Sequence, residues 1–182
     1  MQQRRTQPHF SRHLEATRAL IGYTADDEAL VHATRGALLP HAGAIADAVY
    51  QHLLARPETA AFFTLADGQP DAKHLTERKE SLKGWLALTL EAPLDERSAE
   101  FLVQVGRAHT RRGGHPDVRV RGRYLLTAMA FTQAALTPLL DAAIADRALL
   151  VRTVAAWNKL LMVHLDLFLS AYGSAEGSAH WY

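Results

Sequence analysis

Phe101-Leu-Val-Gln-Val-Gly-Arg-Ala-His-Thr-Arg-Arg-Gly-Gly114 is the stretch on which the reading of this chain turns. Leu102, Val105 and His109 recur at helical spacing, which predicts a helix carrying His109 in its last turns, on an apolar side. Arg111, Arg112, Gly113 and Gly114 predict its end, because terminal carbonyls favour cations and glycine readily leaves the helical backbone. The residues alone leave His109 open to two readings, a packed core side chain or a ligand.

Working outward, Glu91-Ala-Pro-Leu-Asp95 breaks the chain before this helix, and Asp95 is placed to cap it. Before the break, 72–90 reads as a helix with Leu75, Leu82, Trp85, Leu86 and Thr89 on one side. Asp67-Gly-Gln-Pro-Asp71 is a loop by composition. Further upstream, 13–21 reads as a short helix, and Thr24-Ala-Asp-Asp27 is a start signal for a helix to about residue 38. Pro40 suits the opening of the next helix, to about residue 55, which bears Val49, Tyr50 and Leu53. Pro57 opens a short turn before Phe62 and Phe63. Downstream, Gly113-Gly-His-Pro-Asp117 is a loop. A helix over 118–136 follows, with Pro138 ending or kinking it, and then one over 144–172. In that last helix Leu150, Val154, Trp157, Leu161, Leu165, Phe168 and Tyr172 form one stripe. Leu160, Val163 and Leu167 lie beside it, which leaves Arg152, Lys159 and Asp166 as a narrow polar strip. A helix apolar over most of its circumference is covered on more than one side. Strand patterns are nearly absent, so the chain is all-α, about eight helices long.

At 182 residues, 48% apolar and 21% charged, the chain is expected to form one domain. The division is a flexible tail over 1–12, a domain over 13–172, and a tail or linker start over 173–182. A net charge of +1 recruits neither nucleic acid nor an anionic membrane. The absence of cysteine removes disulfides, thiolate nucleophiles and cysteine-type zinc sites. No secretory signal is visible at the N-terminus. The longest uncharged run, 124–140, falls short of the ~20 residues a membrane span needs. The expectation is a cytoplasmic protein. His-Glu-x-x-His, P-loop, Gly-x-Gly-x-x-Gly and Gly-x-Ser-x-Gly patterns are all missing, so no catalytic activity is expected of the chain itself. His9 and His13 alone have the i, i+4 spacing of a helical metal site, at a polar terminus.

Residues 105–114 resemble the proximal-histidine segment of the sensor globins, the family of globin-coupled sensors and protoglobins. Asp95 and Tyr50 stand at spacings that suit that family, and 157–172 is similar to its final-helix pattern. The resemblance covers about residues 10–172. It implies a globin fold with an additional N-terminal helix, and haem b between the distal and proximal helices. His109 would be the axial iron ligand and Tyr50 a distal hydrogen-bond donor. Counted back from His109, the places over the iron fall at Arg78, Ser81 and Leu82. Leu82 would be a steric wall and Ser81 a second hydroxyl. Arg78 departs from the apolar residue common there and is expected to turn away, towards a propionate. Phe62, Phe63, Trp85 and Phe131 would be ring contacts, His74 lies near the distal helix start, and Arg107, Arg111, Arg112 and His115 stand near enough to meet propionates. The implied function is sensing of O2, CO or NO, with a homodimer formed through the last two helices. The chain would then be either a free-standing single-domain sensor globin or the input module of a longer protein, relaying ligation to an output domain of kinase or cyclase type. Two alternatives remain beside it: a redox globin with NO dioxygenase-like activity, and a haem-free helical signalling module.

Overall fold

Short polar signals set where each helix begins. The computed structural model describes residues 9–65, 67–110 and 120–173. Helix α1 is His9–Ile21, so residues 9–12 belong to its first turn rather than to a tail. Gly22 then takes a positive φ and turns the chain. Thr24 and Asp27 form a reciprocal capping box at the start of α2, Ala25–Ala33. The helix expected to run on to residue 38 breaks at Thr34, whose hydroxyl donates to the Val31 carbonyl, and α3, Arg35–Leu38, follows. Pro40 lies in a single 3-10 turn, Leu39–His41, ahead of α4, Ala42–Leu54. Pro57 opens α5, Pro57–Ala60, which runs into a 3-10 turn, Ala61–Phe63.

Asp71 accepts from the His74 amide to start α6, Ala72–Glu91. Asp95 accepts from the Ser98 amide to start α7, Glu96–Ala108. That amide bond holds the Asp95 carboxyl below the usual range. Helix α8 is Gly122–Ala143 and continues through Pro138, whose ring lies on the exposed side. Helix α9 is Arg147–Gly173. Among the described residues there is no strand, only a single bridge between Thr64 and Pro70. The expected loop 113–117, the start of the following helix before residue 120 and the tails 1–8 and 174–182 lie outside the described residues.

The core forms around α9, which packs on α1, α2, α7 and α8. Trp157, Leu161, Val163 and Leu167 on α9 are fully buried. The Trp157 indole donates to Thr34 Oγ1 at 3.2 Å, and the Trp85 indole donates to His164 Nδ1 at 3.2 Å. Both buried tryptophans thus satisfy their one donor. His164 is itself buried, and that burial pushes its pKa down to about 3, so the ring stays neutral. The polar strip on α9 is tied to the N-terminal helices. Lys159 pairs with Asp27 of α2 at 3.0 Å, and Asp166 accepts from His13 at 2.8 Å and Thr17 at 2.6 Å of α1. Contrary to the sequence expectation, α8 and α9 are each long and apolar enough to cross a bilayer, with a best-window mean hydropathy of 1.2. In α9, half of that window is buried inside the domain, so core packing accounts for its character.

The tightest crossing is between α7 and α9. A methyl group built on Gly106 would overlap the carbonyl oxygen of Phe168, so two helix backbones touch where only hydrogen fits. Gly106→Ala must therefore force α7 off α9. The expected loss is about 1–3 kcal/mol in denaturant unfolding. Gly43→Ala in α4, where a methyl meets nothing within 4 Å, should show no loss. Equal stability of Gly106→Ala and the natural chain would remove this crossing as a constraint.

Candidate functional site

A cavity of about 680 Å³, part of it open at the mouth, lies between α4, the Pro57–Phe63 turns, α6, the end of α7 and the start of α8. Its wall is largely apolar and aromatic, including Leu53, Phe62, Phe63 and Leu125, with few polar groups.

His109 stands on this wall at the C-cap of α7, one residue past the last helical one. The sequence had placed it within the last turns. Its Nδ1–H donates to the Val105 carbonyl at 2.8 Å, one of the carbonyls a helix end leaves without an amide partner. That bond assigns the tautomer: the proton is on Nδ1, and the lone pair is on Nε2. Burial lowers the pKa of the ring, the Val105 bond opposes this, and the positive charge of Arg78 lowers it further. The imidazole is thus neutral at pH 7. Beyond it, the Val120 amide donates to the His109 carbonyl at 3.1 Å, and the Val120 carbonyl accepts from Tyr172 Oη of α9 at 2.9 Å.

Tyr50, presented by α4, lines the same cavity, with its ring edge-to-face on Phe63 at 5.5 Å. Burial pushes its hydroxyl up to about 12, against a smaller opposing effect of Arg78, so it remains a protonated donor. Phe63 also meets His74, ring centres 5.7 Å apart. Arg78, one turn along α6 from His74, lines the cavity, where it had been expected not to point inward but to reach towards a propionate. Its Nε is buried and bonded to no described residue.

The tertiary structure therefore brings His109, Tyr50, Phe63 and Arg78 together, with Phe62 and His74, and leaves Ser81, Leu82, Trp85 and Phe131 elsewhere. The Ser81 side chain is exposed and its hydroxyl donates to the Glu77 carbonyl of its own helix. Leu82 is half-buried against the main core. Trp85 lines a separate cavity of about 330 Å³ between α2, α6 and α9, beside His164. The helical period does not separate them, since 74, 78, 81 and 85 recur at i, i+4, i+7 and i+11 on one side of α6. They differ in position along the helix, the cavity taking its α6 lining from His74 and Arg78 near the start and Trp85 lying farther on. Phe131 stacks on His52 at 3.9 Å, away from the cavity lining. Arg107 is exposed, and Arg111, Arg112 and His115 lie outside the described residues. Thr59 and Tyr124 line the cavity without having been singled out; their positions in a turn and at the head of α8 carry no periodic signal.

Comparison with solved structures places this architecture among globin domains. The globin domain of the Geobacter sulfurreducens globin-coupled sensor superposes with a TM-score of 0.68 at 22% identity, over 87% of this chain and 96% of that one. The globin domain of Escherichia coli DosC superposes in its ferric form with a TM-score of 0.69 at 13% identity, and in its ferrous form with 0.69 at 14%. Each covers 88% of this chain and 99% of the other. At these identities the likeness establishes the fold: an all-α globin fold, preceded by the extra helix α1. No curated protein matches in sequence. The sequence profile described as Protoglobin, in contrast, matches residues 10–177, nearly the full length, and the chain therefore belongs to the protoglobin family.

Proposed function

We propose that the chain is a haem-binding gas-sensor globin, with His109 as axial ligand and Tyr50 as distal donor. The observation that carries this reading is the His109 ring on the cavity wall, its Nδ1–H engaged by Val105 and its Nε2 lone pair left for a metal. The donor set fits haem: one neutral imidazole, aromatic and aliphatic walls, and no acidic residue among the described lining residues. Haem b, when bound, supplies an iron atom able to take O2, CO or NO. The protein's part is to hold, orient and exclude. Val105 fixes the imidazole tautomer and ring plane. Phe62, Phe63 and Leu125 keep bulk water from the interior. Tyr50 offers a hydroxyl kept protonated by its burial.

The sensor aspect draws support from the outer sides of α8 and α9. Leu126 is 51% exposed, Leu149 39% and Val151 57%, with Ala130, Ala134 and Ala155 also exposed. An apolar and small-residue surface on two long helices suits a homodimer, through which ligation would bias a partner or output domain in the cytoplasm. His109 lies on the helix that crosses α9 at Gly106, so movement at the ring has a short path to that surface.

Supplied with haem, the natural chain should purify coloured, with a Soret band that shifts under CO, and His109→Ala should lose that band or hold it weakly. A colourless natural chain sinks the reading. In Tyr50→Phe, O2 should dissociate about tenfold faster or more, the worth of one hydrogen bond to a partly charged acceptor. An unchanged rate removes Tyr50 from the site. Light scattering should give twice the chain mass for the natural protein and the single-chain mass for Leu126→Glu/Val151→Glu. A natural monomer ends the dimer proposal.

A further inference from the structure

Inside the cavity, burial and hydrogen bonding disagree at one group. Arg78 Nε is buried with no bond to any described residue, and a guanidinium is always charged. Withdrawing such a donor from water without an acceptor is costly. No acidic side chain on the described lining offers a counter-charge. The nearby carboxylate of Asp47 is engaged by Lys79 at 2.7 Å, on an exposed surface. Arg78, Tyr50 and His109 line the same cavity, presented by α6, α4 and the end of α7. The cavity holds a fixed positive charge that the described part of the protein leaves unbalanced.

We propose that Arg78 is a specificity-determining residue that makes the ferric, haem-loaded form of this cavity favour small inorganic anions, of the size of azide or cyanide, over neutral ligands such as imidazole. This rests on the haem reading above, since the metal supplies the bond and Arg78 supplies the charge-assisted donor. A hydrogen bond between a guanidinium and an anion is charge-assisted on both sides, and such bonds are about twice as strong as those between neutral groups; the protonated Tyr50 hydroxyl adds a second donor from α4. An anion on the cavity side would give the buried Nε the acceptor it lacks and cancel the unbalanced charge. A neutral ligand would do neither.

The test titrates the ferric, haem-loaded protein with azide, and with imidazole as a neutral control, following absorbance. Arg78→Leu should bind azide about ten- to a hundredfold more weakly than the natural chain, the loss expected for one charged hydrogen bond. Arg78→Lys should retain part of the affinity, and imidazole binding should not weaken in either variant. Azide affinity unchanged in Arg78→Leu overturns the proposal. So does unchanged azide affinity with faster haem loss, which would assign Arg78 to a haem carboxylate instead. A natural chain that takes up no haem overturns the functional reading and this proposal together, whereas normal haem uptake with indifferent azide binding overturns this proposal alone.

Discussion

At Gly106 the backbone of α7 rests on the backbone of α9 beside Phe168, with no room for a side chain between them. The groups around the cavity take their places from that contact. Three residues further on, α7 ends, and His109 occupies the cap with its ring turned back to the Val105 carbonyl. On the far side, α9 is held by Trp157 bonding to Thr34, by Lys159 pairing with Asp27 and by Asp166 gathering His13 and Thr17. The first two helices therefore brace the last one, and the last one sets the height of the helix that presents the imidazole. Tyr172 extends the same support to Val120, whose amide holds the His109 carbonyl.

Burial divides the titratable groups of the interior by what each becomes in a low dielectric. Imidazoles lose their proton and stay neutral, as at His164 and His109, and phenols keep theirs, as at Tyr50. Only a guanidinium has no accessible neutral form. Among the described lining residues, Arg78 is thus the one group whose charge burial cannot remove, and it shares the cavity with the two groups most suited to handling a ligand. Its Nε is cut off from solvent while the residue as a whole is half-buried at the cavity wall.

Much of the fold was legible from local chemistry. The Thr24–Asp27 start signal, the Asp95 cap and the stripe on α9 all act within a few turns, where sequence spacing maps directly onto contact. The helix break at Thr34 was not legible: its hydroxyl competes for a backbone carbonyl and also serves Trp157, 123 residues away. Nor was the passage of α8 through Pro138, where placing the ring on the exposed side lets the helix continue to Ala143. The cavity was half legible. The family resemblance led to His109, Tyr50, Phe63 and Arg78, but Ser81 and Trp85 lie by period on the same side of α6 as Arg78. Counting could not show how far along the helix the cavity extends, so Ser81, Leu82 and Trp85 were grouped with residues they do not join.

By itself, the order of residues determined that the chain is helical, where most helices start, and that a lone histidine ends one of them beside apolar groups. Those outcomes depend on hydrogen bonds and side-chain periods spanning a few residues, which any segment carries with it. Only the tertiary structure decided that Arg78 faces inward and that Gly106 is a contact rather than a flexible point. It also decided that the polar strip of α9 is tied to α1 and α2 by ion pairs and hydrogen bonds. Each of these depends on how one helix is rotated and seated against another, a property set by the packing of the whole core and carried by no segment alone.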